Sequence, residues 1–254
     1  MEKFVCENVF VPLRSGPTHK SEMLSQILFG EKYIIIDQSA RWLKIESLFD
    51  NFSGWIDMNH LQQSESNDNA TGNVLVKPLL CYKNDKTKIV LEPGCEIYNP
   101  DFKHGTFKAG TSIFSVSPDF NESFISTSDS LADSAIRFIN SPYLWGGRIP
   151  SGIDCSGLTQ LVYKIHGMAI PRNSWQQAET GETISFIEES KPGDLVFFDN
   201  ERGMISHVGM MISGGLIIHA SGRVRIDTID HQGIFKQEIG GYSHKLRTIR
   251  RIIV

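Results

Sequence analysis

The first half of the chain alternates short apolar stretches with polar turn residues. Over residues 1–62 the strand-like stretches are FVCENVFVPLR, YIIIDQ, WLKIES and SGWIDM, which Gly, Asp and Asn separate. This spacing is typical of a small β-barrel. A second series over residues 74–126 consists of VLVKPLLCY, TKIVL, CEIY and TSIFSV. It predicts a second, less regular barrel.

A polar segment separates the two series. Residues 62–73, QQSESNDNATGN, show no periodicity and predict a linker with a boundary near residue 65. A different apolar spacing begins after the second series. We therefore expect small β-barrels at 1–65 and 74–126 and a mixed α and β domain at 128–254.

Two stretches of the last domain have helical spacing. DSLADSAIRFIN, residues 129–140, predicts a helix with Ser130 or Asp129 as its N-cap. A second helix is predicted over 155–166, because its apolar residues recur at positions i, i+3, i+4 and i+7. These are Leu158, Leu161, Val162 and Ile165. Gly167 supplies its C-terminal stop.

Asp154 is the predicted N-cap of that helix, which leaves Cys155 in its first turn. The unpaired amides and the macrodipole at a helix N-terminus favour an anion, so we expect a thiolate with a lowered pKa. The chain has no CxxC pair and no dense cysteine framework, so a zinc site or a disulfide scaffold is not indicated. The other three cysteines, in settings different from a helix start, are Cys6, Cys81 and Cys95.

A β-hairpin in the same domain offers a base for this thiol. ISHVGMMISGGLIIHAS contains two strand-like runs around Ser-Gly-Gly, with His207 and His219 on its two arms. A turn centred on Ser213 would place the histidines directly opposite each other, and one centred on Gly214 would make them diagonal. Either register puts both on one face. We interpret His207 as the base for Cys155 and His219 as the group that orients it.

The remaining histidines are interpreted as solvated or structural. They are His19, His60, His104, His166, His231 and His244.

Composition and charge restrict the class of protein. With 254 residues, 40% hydrophobic and 21% charged, the chain is long enough for packed cores and is not of a disordered type. A net charge of -4 without a basic block makes nucleic acid an unexpected partner. The apolar runs are far shorter than a membrane span, and the N-terminus lacks the pattern of a secretory signal. We expect a cytoplasmic protein, or a periplasmic or secreted one from which a signal was removed.

At these residues the chain resembles the NlpC-type family of papain-like cysteine peptidases, which cleave bacterial cell-wall peptides. The matching motifs, in family order, are PYLWGG, DCSGLTQLVY, PRNSWQQ, KPGDLVFF, ISHVGMMI and IIHASG. The resemblance implies an α+β fold in which the helix bearing the cysteine packs on an antiparallel sheet. The family's catalytic Cys, His and third polar residue map onto Cys155, His207 and His219.

Members of that family with N-terminal bacterial SH3-like barrels resemble the chain over nearly its full length. The resemblance implies a γ-D-glutamyl-L-diamino acid endopeptidase that acts on murein peptides with a free N-terminal L-Ala. Glu22 and Asp154 would hold the ammonium group, and Trp55 or Phe52 would wall the L-Ala side. The family's other substrate-contacting positions match Tyr143, Ser156 and Ser174.

Alternatives remain open at several of these residues. Glu22 could be a solvated loop carboxylate, Asp154 only an N-cap, and Tyr143 a core aromatic. The chain could also be a secreted hydrolase of intact wall, or a noncatalytic module that binds wall peptides. Hydrolysis by acyl transfer through Cys155, the reaction that this arrangement predicts, needs no metal or cofactor, and we expect a monomer that recycles murein peptides.

Overall fold

Strands dominate the computed structural model, which describes residues 2–61, 72–84, 86–116 and 129–252. The chain divides into two compact units, Met1–Ser126 and Thr127–Val254. Most of the predicted linker, the boundary near residue 65 and the end of the second predicted barrel lie outside the described residues. The three domain boundaries therefore stay predictions.

The first unit begins with a six-stranded antiparallel sheet. Its strands are β1 (Lys3–Val5), β2 (Phe10–Arg14), β3 (Met23–Leu28), β4 (Lys32–Ser39), β5 (Trp42–Ser47) and β6 (Ser53–Asp57). They are ordered β1-β4-β5-β6-β2-β3. Alternation along β2 buries Val11 and Leu13, which pack with Ile27, Ile45 and Ile56 in one core.

A second six-stranded sheet follows in the same unit. Its strands are β7 (Asn73–Val74), β8 (Leu79–Lys83), β9 (Thr87–Leu91), β10 (Glu96–Asp101), β11 (Thr106–Ala109) and β12 (Ser112–Val116). Their order, β7-β10-β11-β12-β8-β9, follows the same pattern as the first sheet. Repetition of that order explains why two similar series of apolar stretches run through the first half of the sequence.

Aromatic and ionic contacts join the two sheets. The Phe29 ring meets Phe114 edge to face at 5.1 Å between centroids and Phe107 at 6.2 Å. The buried Glu7 carboxylate accepts a hydrogen bond from Lys83 Nζ at 2.5 Å. A shared aromatic core and a partly buried ion pair make the two sheets one unit.

The second unit combines three short helices with a larger sheet. The helices are α1 (Leu131–Ile136), α2 (Cys155–Ile165) and α3 (Ser174–Gln177). The strands are β13 (Arg148–Ile149), β14 (Gly152–Ile153), β15 (Glu182–Ile184), β16 (Leu195–Asp199), β17 (Ile205–Ser213), β18 (Leu216–Ser221), β19 (Arg223–Ile229), β20 (Gly233–Lys236) and β21 (Gly241–Arg251).

The large sheet closes on itself. Its order is β15-β21-β16-β17-β18-β19-β20, and an additional β20–β21 pairing closes the six strands from β21 to β20 into a ring, with β15 outside it on β21. Apolar side chains from these strands form one cluster, including Val196, Phe198, Met211 and Ile217. Helix α2 packs against β17 and β18. The predicted α+β fold, with the cysteine-bearing helix on an antiparallel sheet, is confirmed.

The helix predicted over 129–140 is shorter than expected. Ser130 is the N-cap of α1 and forms a capping box with Asp133. The helix ends at Arg137, and the Asn140 amide then donates to the Val224 carbonyl at 2.9 Å. This contact with β19 could not be read from local periodicity. Across the ranges given above, no helix has the length and apolar character to cross a bilayer.

Candidate active site

The first turn of α2 is built around Asp154. The Asp154 backbone is extended, and its Oδ1 accepts a hydrogen bond from the Gly157 amide at 2.7 Å, which confirms the predicted N-cap. Its Oδ2 accepts from the Gly146 amide at 2.8 Å. Cys155 is the first residue of the helix and is 7% exposed. The carboxylate therefore joins the helix start to the loop that carries the PYLWGG motif.

A buried arginine holds the same carboxylate from the other side. Arg172, 2% exposed, donates to Asp154 Oδ2 at 2.6 Å and to Oδ1 at 3.0 Å. It also donates to Ser156 Oγ at 2.8 Å. Gln177 of α3 donates to the Ser156 carbonyl at 3.1 Å. The PRNSWQQ motif thus contributes two side chains that fix the turn containing Cys155.

The two predicted histidines meet on the hairpin of β17 and β18. His219 lies opposite Gly209, so His207 is diagonal to it, as a turn centred on Gly214 predicts. An irregularity between Met211 and Ser213 sets this register. His207 Nε2 lies 2.8 Å from His219 Nδ1. The hairpin and the shared face of the histidines are confirmed.

The hydrogen-bonded chain continues onto the next strand. His219 Nε2 lies 2.8 Å from Asp227 Oδ2 on β19. Asp227 Oδ1 accepts from Arg225 Nη2 at 2.7 Å, and Arg225 donates in turn to Glu238 at 2.6 Å. A buried histidine pair therefore ends in a carboxylate that an arginine holds in place.

A third histidine, His244 on β21, stacks on His207. Their ring centroids are 4.2 Å apart and their planes are 26° from parallel. The β20–β21 pairing that closes the sheet sets His244 opposite Ile234. His244 is therefore not simply solvated, because its ring covers one face of the proposed base, and the interpretation of it as structural stays a prediction.

Cys155 approaches the sheet beside His207. The ladder between β17 and β18 begins at the Gly209–His219 pair. One residue before it, the Val208 backbone lies close enough to the Cys155 sulfur to lower the pKa of the thiol. The thiol thus lies near the residue that directly follows His207.

Comparison with known proteins agrees with this geometry. Residues 140–242 match the model of the NlpC/P60 family, and residues 13–61 match the bacterial dipeptidyl-peptidase SH3 domain. A gamma-D-glutamyl-L-lysine dipeptidyl-peptidase of Bacillus subtilis is 30% identical over 82% of this chain and 75% of its own length. The chain belongs to the NlpC/P60 family.

This NlpC/P60 chain is a cysteine peptidase with an N-terminal SH3-like domain. A protein of the same dipeptidyl-peptidase name from Bacillus cereus is 27% identical over 80% of this chain and 68% of its own length. The crystal structure of a Bacillus cereus NlpC/P60 family protein matches with a TM-score of 0.81 at 20% identity, over 100% of both chains. That likeness confirms the fold over the whole length.

The Cys155 thiol of this NlpC/P60 site differs from the expected thiolate. Burial, followed by the nearby Asp154 charge, raises the pKa of Cys155 to about 12. Backbone hydrogen bonds from Val208 and Ser156 and the charge of Arg172 lower it, but by less. The prediction of a lowered pKa is wrong because the helix N-terminus is buried, and loss of solvation there outweighs its favourable field.

The histidine pair is also held neutral. Burial lowers the pKa of His207 well below its usual value, and the nearby His219, His244 and Lys236 add to this effect. Burial lowers the pKa of His219 as well, although Asp227 opposes the shift. For Asp227, hydrogen bonds from His219 and Arg225 outweigh its own burial and lower its pKa. At neutral pH the site holds a thiol, two neutral imidazoles and a carboxylate.

The proposed substrate residues lie in different surroundings. Tyr143 is half-buried, and burial, Cys155 and Asp154 raise its pKa to about 12, so its phenol lies near the nucleophile. Ser156 is buried beneath Arg172, and Ser174 is half-buried at the start of α3. Glu22 is exposed on the first unit, immediately before β3. Their roles toward substrate stay predictions.

Three residues of the site were missed by sequence reasoning. Arg172 stands in the PRNSWQQ motif, and an arginine two residues before a helix gives no signal of its own. Asp227 gives no local signal either, because its burial on β19 and its pairing with β18 arise only in the folded sheet. His244 has none, because only the closure of the sheet brings it to His207.

Proposed function

We propose that this NlpC/P60 peptidase hydrolyses the γ-D-glutamyl-L-diamino acid bond of murein peptides that carry a free N-terminal L-Ala. The observation that carries the proposal is the hydrogen-bonded row from His207 through His219 to Asp227, on a sheet against which the helix that begins at Cys155 packs. The names of the Bacillus relatives supply the bond, since both are gamma-D-glutamyl-L-lysine dipeptidyl-peptidases.

The donors and acceptors in the hydrogen-bonded row from His207 through His219 to Asp227 identify the basic nitrogen. The ionised Asp227 can only accept, so His219 carries its proton on Nε2. A neutral His219 then accepts at Nδ1, and His207 must donate from Nε2. The remaining lone pair of His207 is on Nδ1. This nitrogen is the proposed acceptor of the Cys155 proton.

The reaction then proceeds by acyl transfer. The Cys155 sulfur bonds to the γ-carbonyl carbon of D-Glu as its proton moves to His207 Nδ1. His207 returns that proton to the departing amine as the carbon–nitrogen bond breaks. Water, deprotonated by His207, cleaves the thioester and releases L-Ala-γ-D-Glu. The raised pKa of Cys155 favours transfer of the proton during attack over a thiolate formed beforehand.

Electrostatic support for the oxyanion is assigned to the start of α2. The backbone amide of Cys155 is the proposed donor, and one such donor typically contributes about 3–4 kcal/mol to transition-state stabilisation. Asp154 and Arg172 keep this turn in place. Tyr143 and Ser174 are proposed to contact the substrate near the reacting bond.

Recognition of the free amine is proposed to depend on Glu22 together with Asp154. The two Asp154 oxygens already receive hydrogen bonds from Arg172 and from two backbone amides. Much of the Asp154 charge is therefore balanced within the protein, and a second carboxylate would be needed for the ammonium group. Glu22 is that proposed carboxylate, and its removal should raise KM more than it lowers kcat.

Release of L-Lys or meso-diaminopimelate from L-Ala-γ-D-Glu-diamino acid tripeptides tests the proposal. The wild type should cleave them, Cys155→Ala should be inactive, and Cys81→Ala should retain activity. Cys81 is a matched control, since burial raises its pKa to about 12 as well, but it lies on β8 in the other unit. Equal activity of wild type and Cys155→Ala would contradict the proposal.

The N-acetylated tripeptide tests recognition of the amine. It should be a much poorer substrate than the free tripeptide, and equal cleavage would refute the roles of Glu22 and Asp154. We propose cytoplasmic recycling of peptides over hydrolysis of the wall. Rates of hydrolysis of free peptides and of intact sacculi, measured side by side, distinguish the two. A noncatalytic binding module would hydrolyse neither.

A further inference from the structure

We propose that Asp227 is a positioning residue that fixes the tautomers of His219 and His207, so that His207 presents an unprotonated Nδ1 to Cys155. This inference rests on the proposed roles of Cys155, His207 and His219. It adds a fourth member to the site and a reason for that member to be a carboxylate.

Sheet register places the three side chains in one diagonal row. His219 of β18 lies opposite Gly209 of β17, two residues from His207. On the other side, Ile217 lies opposite Asp227 of β19. Side chains two residues apart on a strand share a face. The row therefore crosses the three neighbouring strands with a shift of two residues at each of its two junctions, in the same direction. The contacts of 2.8 Å at both junctions follow from this arrangement.

Arg225 determines which oxygen of the Asp227 carboxylate faces His219. Its guanidinium donates to Asp227 Oδ1 at 2.7 Å, and Glu238 holds the same Nη2 at 2.6 Å. Arginine has donors only, so the atom facing it must be an acceptor. Asp227 Oδ2 is left facing His219. Because an ionised carboxylate cannot donate, the proton of His219 is confined to Nε2.

The substitution Asp227→Asn would reverse this order. Arg225 would hold the oxygen of the new amide, which turns the NH2 group toward His219 Nε2. His219 would then accept at Nε2 and carry its proton on Nδ1, where it would donate to His207 Nε2. His207 would in turn be protonated on Nδ1, the nitrogen that must accept the thiol proton. The substitution therefore removes the base while changing almost no volume.

Several charged and titratable groups face the histidine pair. They are Asp227 and Arg225 on β19, Lys236 at the end of β20 and His244 on β21. Asp227 raises the pKa of His219, whereas Lys236 and Arg225 lower it. Loss of the Asp227 charge should therefore move the acid limb of the kcat/KM profile to lower pH. A packing defect alone would leave that limb in place.

The test compares Asp227→Asn with wild type on the L-Ala-γ-D-Glu-L-Lys tripeptide. We expect kcat to fall about 10²–10⁴-fold with little change in KM, because general acid–base catalysis is impaired. The acid limb should shift downward, and 15N NMR of labelled histidines should show His207 protonated on Nδ1. Asp230→Asn is the matched control, since this half-buried carboxylate, just after the end of β19, accepts from Tyr242 and Gln232. It should behave as wild type.

Two further variants separate positioning from folding. Asp227→Glu keeps an acceptor-only group and should therefore retain more of the wild-type kcat than Asp227→Asn. If Asp227→Asn fails to fold, the kcat of Asp227→Glu relative to wild type still tests the role of the carboxylate. In the Asp227→Asn background, Arg225→Met frees the amide to turn its oxygen toward His219 and should raise kcat. Two results would overturn the inference. One is an Asp227→Asn variant whose kcat and pH profile are unchanged from wild type. The other is an Asp227→Glu variant that is as inactive as Asp227→Asn although its histidines keep the wild-type tautomers. Activity of Cys155→Ala would instead overturn the proposed function.

Discussion

Replacement of Arg172 by methionine should destabilise the peptidase unit by about 3–5 kcal/mol. The guanidinium is 2% exposed and makes three hydrogen bonds of 2.6–3.0 Å to Asp154 and Ser156. Methionine fills part of the space but removes the counter-charge from a buried carboxylate. The cost arises from this uncompensated charge and from the lost donors.

A second arginine in the same unit provides a matched control. Arg251 donates to both oxygens of Asp194 at 2.9 and 2.7 Å, but its side chain is 27% exposed. Water can replace its donors after substitution, so Arg251→Met should cost about 1–2 kcal/mol. The difference between the two variants therefore measures the effect of burial on similar bidentate pairs.

Urea unfolding of the full chain measures both free energies. Hydrogen exchange of peptides from α2, read by mass spectrometry at each urea concentration, reports the peptidase unit separately from the first unit. Arg172→Met should also lower kcat, because the turn that holds Cys155 loses its support. Equal unfolding midpoints for the two variants, or a cost below about 1 kcal/mol for Arg172→Met, would refute the reasoning.

Three other predictions concern the reactive groups and their support. Alkylation of Cys155 by iodoacetamide, followed by mass spectrometry, should be slow at pH 7 and should accelerate with pH, because burial raises its pKa to about 12; a plateau below pH 7 would contradict this. His244→Ala should move the acid limb of kcat/KM to higher pH, because His244 lowers the pKa of His207, and an unmoved limb would argue against the contact. Gly157→Ala should destabilise the peptidase unit by about 2–3 kcal/mol despite alanine's helix propensity, because the new Cβ would overlap the Gly147 carbonyl. Thermal unfolding should show no such loss for Gly214→Ala, because Gly214 has open space around it.

Local sequence signals were sufficient for the parts of the site built within one or two elements. The N-cap at Asp154 and the helix after it depend on neighbouring residues and on helical period. The placement of His207 and His219 on one face depends on the period of a strand and a short turn. Only the choice between two turn centres was left open, and a bulge decided it.

Long-range pairing determined what the sequence could not predict. Asp227 reaches His219 through the β18–β19 register, and His244 reaches His207 only because β20 and β21 close the sheet. The pKa of Cys155 depends on how deeply the helix start is buried, which no local pattern encodes. A helix N-terminus predicts the sign of the local field, but not the larger effect of lost solvation.

The most direct test of the account is to trap the covalent intermediate. The enzyme is mixed with L-Ala-γ-D-Glu-L-Lys, quenched in acid within milliseconds to seconds, digested and analysed by mass spectrometry. The account predicts an L-Ala-γ-D-Glu acyl group on the peptide that contains Cys155, absent from Cys155→Ala. Substrate turnover with no acyl group at Cys155 at any time, or with the acyl group on another residue, would contradict it.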